Sequence, residues 1–346
     1  MAIPAQRDQE LSRKALTTWF AGALDAEVTL SEFRGPGATG FSNETLIVDV
    51  TAPTGTSSYV VRVAPTGYSL FPDAAFDRQY KVLRALSSTS VPVPTVRWYE
   101  SDASVLGAPF FVMDEVIGRV PPDNPPYHMA GWLHDVTPEH RARVWWGAID
   151  TIAELHRLDH RSLELDFLTG GLAEQLDYYT RWLAAIEQDE PVPMAHRALD
   201  WLTAHLPQDE QQVLCWGDAR VGNVMYDDEG NRLAVLDWEM VGLGAPGQDV
   251  AWALFLDRHH SEGVDTPRLE GFPSAGETIA RYEARSGIRL RDLEFYEVFA
   301  AFRFCVIMAR LALIFKEWGL LPVDDAMAQD NTVTRLTDRV LAERGV

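Results

Sequence analysis

The residue pattern of this chain changes character once, near Met113, and that change constrains the fold most. Upstream, short runs of β-branched and aromatic residues alternate with turn residues. Val28–Phe33, Glu44–Val50 and Tyr59–Val63 read as three strands of an antiparallel meander. Thr95–Tyr99 and Pro109–Met113 read as two more, joined by a polar turn with Gly107. Helical spacing upstream is confined to Glu10–Leu24 and to Phe76–Leu86, where Tyr80, Leu83 and Leu86 share a side. Val91-Pro92-Val93-Pro94 is extended, because each proline disfavours helix in the residue before it.

Downstream, a crossing rich in proline (Pro121, Pro122, Pro125, Pro126) gives way to helices. Thr137-Pro138 offers a cap and a first-turn proline, and Val144, Ala148, Ile152 and Leu155 mark one face of a helix running to about Leu158. A short hairpin between Val213 and Asp237 interrupts an otherwise helical remainder. The expectation is an α+β chain. A small antiparallel-sheet lobe with one main helix covers 1–114, and a larger, mostly helical lobe covers 115–346. A hinge lies at about 113–118. A length of 346 residues suits two such lobes.

Composition removes several classes of function. With 51 acidic and 30 basic residues, a net charge of −21 repels phosphate backbones and anionic membranes, so neither nucleic acid nor membrane is expected as a partner. The two cysteines, Cys215 and Cys305, sit in apolar runs without metal-ligand spacing and read as buried reduced thiols. Val298–Phe315 is the most apolar stretch, but Arg303 and Arg310 interrupt it, which favours a buried helix over a membrane span. No secretory signal is visible at the N-terminus, so a cytoplasmic location is expected.

The chemistry concentrates in Leu214-Cys215-Trp216-Gly217-Asp218-Ala219-Arg220-Val221-Gly222-Asn223 and in Ala234-Val235-Leu236-Asp237-Trp238-Glu239. An apolar strand delivers an aspartate at its end, and a tight loop returns an asparagine five positions later. A turn at Asp227–Gly230 then leads to a second strand ending in another aspartate. Phosphoryl transfer needs such a set. One carboxylate takes a proton from the attacking hydroxyl, and an amide oxygen with a second carboxylate holds magnesium against the phosphates. Oxygen donors suit that hard cation and argue against zinc.

These paired segments resemble the motif of the aminoglycoside-phosphotransferase family, a branch of the protein-kinase-like bilobal fold, written H-G-D-x-x-x-x-N followed by I/L-D-W-E/D. The resemblance covers nearly the whole chain. It implies Asp218 as catalytic base, Asn223 and Asp237 as magnesium ligands, and Asp249 as a brace of the catalytic loop through backbone hydrogen bonds. Trp216 stands where the family has a histidine, and an aromatic ring can pack in its place. Arg220 and Glu239, inside the motifs, read equally as loop braces or as substrate contacts.

Residues 37–44 occupy the family's nucleotide-loop position, with Gly40 opening the backbone to phosphate and Thr39 and Ser42 offering hydroxyls. Alone, such a segment is an ordinary hairpin turn. Arg62 falls where kinases place a phosphate-contacting lysine, or it is a surface strand arginine. The position of that lysine's usual glutamate partner matches Gln79. Phe111–Val116 resembles the hinge that hydrogen-bonds adenine, and Asp114 and Val116 are its expected contributors.

The implied function is transfer of a phosphoryl group from ATP, with Mg2+, to a hydroxyl of a small molecule. The helical lobe offers Tyr178, Tyr179, Trp182, Trp252, Phe295, Tyr296 and Arg303 as pocket walls or as ordinary core. Two acceptor classes follow from the resemblance. Aminocyclitols would meet Asp257, Glu262 and Asp265, whereas hydroxyacyl-CoA compounds would need basic residues such as Arg141, Arg143 or Arg303. Arg62 and the Leu-Asp-Trp-Glu-Met wording look closer to the second branch, which includes kinase-like domains fused to acyl-CoA dehydrogenases. A catalytically silent nucleotide-binding scaffold is the alternative. A protein kinase fits less well, because no Ala-Pro-Glu activation segment follows Asp237.

Overall fold

The computed structural model describes residues 7–35, 43–66, 70, 76–208 and 211–346. They fall into two units. Residues up to 88 join 93–117 in one, and residues 89–92 join 118–346 in the other.

The smaller unit holds α1 (Gln9–Leu24), β1 (Thr29–Leu30), β2 (Glu44–Ala52), β3 (Gly55–Val63), α2 (Phe76–Leu86), β4 (Val96–Glu100) and β5 (Phe110–Asp114). The strands form one antiparallel sheet in the order β1-β2-β3-β5-β4. The meander is present, but its first strand is only Thr29–Leu30 rather than Val28–Phe33. The Ser31 N–H still donates to the Asp49 carbonyl at 2.9 Å, but the Asp49 N–H goes to the Ser31 hydroxyl at 3.0 Å, so a side chain takes one half of the ladder at that point.

Side chains of β5 alternate between two helices. Phe110 and Val112 join Leu16 and Phe20 of α1 in the core, whereas Phe111 stacks near Phe76 and Tyr80 of α2. With both faces covered, three successive residues of β5 are buried, as in a central strand.

The larger unit contains α3 (Trp132–Asp135), α4 (Pro138–Leu155), α5 (Leu172–Ile186), α6 (Pro193–Ala204), β6 (Val213–Cys215), β7 (Val224–Tyr226), β8 (Arg232–Val235), β9 (Gly242–Gly244), α7 (Pro246–His260), α8 (Ala275–Ser286), α9 (Leu293–Glu317) and α10 (Thr332–Ala342). The Thr137 hydroxyl caps α4 by accepting the His140 N–H.

The α9 helix is apolar around most of its circumference because α5, α6, α7 and α10 surround it. By length and composition it is the one helix among the described residues able to cross a membrane, but 67% of its apolar window is buried in this unit. Cys215 and Cys305 are free buried thiols, and burial pushes the Cys305 thiol up to about 12.

The expected single hairpin between Val213 and Asp237 is replaced by two small sheets. Strand β7 pairs with β8, whereas β6 pairs with β9, beyond Asp237. The first strand of the motif is thus held by a segment the hairpin reading did not include. The Val235 N–H goes instead to the Pro92 carbonyl at 2.8 Å, which ties 89–92 to this unit.

Candidate active site

Two loops follow from this sheet arrangement. The first leaves β6 at Trp216 and runs through Asp218 to a 3-10 turn at Val221–Asn223, and the second leaves β8 and carries Asp237. Gly217 makes the first turn possible. Its φ is +92°, and a Cβ there would lie 2.0 Å from the Met240 carbonyl oxygen. Asp237 also sits at positive φ, 57°, a conformation aspartate tolerates better than most residues.

The loops are bonded to each other. The Leu236 N–H donates to the Asn223 carbonyl at 2.8 Å. The buried Trp216 indole N–H is shared between the carbonyls of Leu236 and Asp237, at 2.9 and 3.1 Å. Tryptophan in the family's histidine position therefore fastens the Asp218 loop to the Asp237 loop.

Asp249, buried at 1% exposure, braces the same turn as expected. Its carboxylate accepts the Trp216 N–H at 2.7 Å and the Gly217 N–H at 2.9 Å. His156 Nε2 donates to it at 3.1 Å, and His156 Nδ1 faces the Tyr282 hydroxyl at 2.8 Å. The ligand atoms of His156, Cys215 and Asp249 lie within 4.8 Å of one another, but the carboxylate and imidazole are committed to these bonds, so the cluster is a brace.

Asp218 is held from three directions. Oδ2 accepts Asn223 Nδ2 at 2.6 Å and Arg220 Nε at 3.2 Å, and Oδ1 accepts Trp252 Nε1 at 2.7 Å. Asn223 Nδ2 also reaches the Asp218 carbonyl at 3.0 Å, so both of its bonds run from the amide nitrogen. The amide oxygen is then the atom left for a hard cation.

Arg220 continues to Asp123 at 2.6 Å, and Asp123 also meets His260 Nε2 at 3.1 Å. Desolvation pushes the Asp123 carboxyl up, but Arg220 and His260 outweigh it and hold it well below the usual carboxylate range, although half of that side chain is exposed. Desolvation likewise opposes the Arg220 charge, and Asp218 and Asp123 more than restore it. Arg220 is a brace between two carboxylates, and neither Asp123 nor His260 carries a local sequence signal. Glu239 is buried.

In the smaller unit, Arg62 Nη1 donates to the Thr45 hydroxyl at 3.1 Å across the β2–β3 pair. Gln79 is buried on α2. The Asp114 carboxylate makes a two-pronged pair with Arg97, at 2.7 and 2.6 Å, and its N–H donates to the Thr95 carbonyl. Val116 follows at half-buried depth. Thr39, Gly40 and Ser42 lie outside the described residues.

The residues expected to sort acceptors are mostly engaged elsewhere. Asp257 is buried and receives hydrogen bonds from Tyr127, His128 and Arg268. Glu262 pairs with Arg258 and Arg339, and Asp265 pairs with Arg339. Arg141 donates to the carbonyls of Leu133, His134 and Glu270, and Arg143 to that of Glu229. All five of these residues thus have partners within the described residues. Trp252 and the buried Arg303 do lie at the site, the first bonded to Asp218 and the second to the Gly217 carbonyl.

The architecture and sequence match known proteins. Mouse (Mus musculus) acyl-CoA dehydrogenase family member 11 is 30% identical over 340 residues, covering 94% of this chain and 41% of that protein. The Rattus norvegicus form is 30% identical over 336 residues, covering 93% and 40%. The chain thus spans about two-fifths of the length of these relatives. Among solved structures, a Ralstonia eutropha protein assigned as an aminoglycoside phosphotransferase has a TM-score of 0.69 at 24% identity, covering 94% of this chain and 98% of its own. That likeness establishes the kinase-like phosphotransferase fold. Residues 36–288 match the family model described as the phosphotransferase enzyme family. Since that match takes in both loops and Asp249, the chain belongs to the phosphotransferase enzyme family.

Proposed function

We propose that this chain is a small-molecule kinase that moves the γ-phosphoryl group of ATP to an acceptor hydroxyl, with Asp218 as general base. The observation that carries the reading is the arrangement around Asp218. Its carboxylate is fixed by Asn223 and Trp252, while the Asn223 amide oxygen faces away from those bonds and is available to a cation. In the step, the acceptor O–H proton passes to the Asp218 carboxylate as the acceptor oxygen bonds to the γ-phosphorus. The bond from that phosphorus to the ADP oxygen breaks. Asn223 and Asp237 would hold magnesium, whose charge neutralises phosphate oxygens when bound. Arg62, with Thr39, Gly40, Ser42, Asp114 and Val116, is the proposed nucleotide set. Residues 1–114 thus serve nucleotide and 115–346 serve catalysis and acceptor. ATP as donor is supported by a structural neighbour solved with streptomycin and ATP, 13% identical at TM-score 0.56.

For the acceptor, a hydroxyacyl thioester is favoured over a polyamine sugar. The relatives covering 93–94% of the chain bear the name of acyl-CoA dehydrogenases. The test is ATP consumption with kanamycin and with 3- and 4-hydroxyacyl-CoA esters, followed by phosphorus NMR of any product. Hydroxyacyl-CoA phosphorylation that is abolished in Asp218→Ala, with ATP binding retained by calorimetry, is the expected result. Near-parental turnover by that variant refutes the base, and phosphorylation of kanamycin alone refutes the acceptor class.

A further inference from the structure

Behind Asp218 stand two residues that the transfer step itself does not use. Trp252 of α7 donates its indole N–H to Asp218 Oδ1 at 2.7 Å, and Arg303 of α9 lies over the Trp252 ring with its guanidinium carbon 4.6 Å from the centroid. Arg303 is 3% exposed, forms no ion pair among the described residues, and has an enclosed Nε without a partner. Its one hydrogen bond there runs from Nη2 to the Gly217 carbonyl at 3.2 Å, immediately before Asp218. Burying a cation without a carboxylate is costly. The faces of Tyr179 and Phe299, 5.4 and 5.6 Å away, and that of Trp252 supply the compensating attraction. A cation over an indole also draws electron density from the ring and makes its N–H a stronger donor.

A carboxylate has about four lone-pair positions. Asn223 and Arg220 occupy Oδ2, and Trp252 occupies one side of Oδ1. The position left over is therefore on Oδ1. We propose that Trp252 is a positioning residue for the reaction, turning Asp218 so that the second Oδ1 lone pair meets the acceptor hydroxyl, and that Arg303 holds Trp252 to this task. The inference rests on Asp218 being the base. Ordinary core packing of a tryptophan would depend on ring shape alone, whereas this role depends on one N–H.

That difference sets the experiment. Trp252 is replaced by its benzothienylalanine isostere, in which sulfur takes the place of the N–H, and by phenylalanine. Turnover is measured with Mg·ATP and 3-hydroxybutyryl-CoA, kanamycin or water as acceptor. In parallel, indole 15N–1H resonances are recorded for the parent and for Asp218→Ala, the Trp252 signal being assigned by its loss in W252F or in the isostere. The isostere should lose about ten- to a hundredfold in kcat, the effect of one hydrogen bond to a charged group, with the KM for ATP unchanged and the Tm lowered by no more than about 10 °C. The Trp252 resonance should move upfield in Asp218→Ala. An isostere with kcat within about twofold of the parent, or a resonance that stays in place, overturns the proposal. If W252F does not fold, the isostere alone decides. A parent that turns over none of the three acceptors refutes the kinase reading instead, while the resonance still reports whether the bond exists.

Discussion

Replacing Asp249 with alanine removes the acceptor for three donors at once. The Trp216 and Gly217 N–H groups, at 2.7 and 2.9 Å, and His156 Nε2, at 3.1 Å, all end on this one carboxylate. The site is 1% exposed, and alanine cannot take over any of these bonds. Each buried donor left without a partner costs about 1–3 kcal/mol, so the variant, with three such donors, should lose about 3–9 kcal/mol from a stability that is typically about 5–15 kcal/mol. For a unit of this size each kcal/mol is worth about 2–4 °C, which predicts a fall in Tm of roughly 6–36 °C. Differential scanning fluorimetry measures it directly. Asp249→Asn should recover only part of the loss, because its NH2 group would face other donors. A Tm within about 3 °C of the parent for the alanine variant would show that the turn before Asp218 does not depend on this carboxylate, and the brace would be refuted.

Two further outcomes follow from the same unit. Gly217→Ala must place a Cβ 2.0 Å from a backbone oxygen at φ +92°, so a loss of at least about 3 kcal/mol is expected; a parental Tm would refute the geometry. Burial and the neighbouring His260 hold the His259 imidazole down at about 3, with Asp123 pulling weakly the other way. The unfolded chain, with histidine near pKa 6.5, takes up this proton first as pH falls. Stability should thus be full above about pH 6.5 and decline towards pH 3, and His259→Gln should flatten the Tm–pH curve in that window.

Much of the candidate site was legible along the chain because it is local. Gly217, Asp218, Asn223 and Asp237 are spaced by turns and short strands that sequence periodicity reveals, and the strand-rich then helical order follows from the same periodicity. The partner of β6 was not, since Gly242–Gly244 has no strand-like side-chain pattern and pairs only because the loop after Asp237 folds back. Charge pairing was equally invisible. Asp257 and Asp265 look unpaired along the chain until Arg268 and Arg339, 11 and 74 residues away, bond to them. Asp123 and Trp252 reach the Asp218 loop from 97 and 34 residues away. Residue type and spacing thus determined which groups make up the candidate site. Tertiary packing decided which of their lone pairs and charges remain available, because that depends on neighbours that only three-dimensional closure brings together.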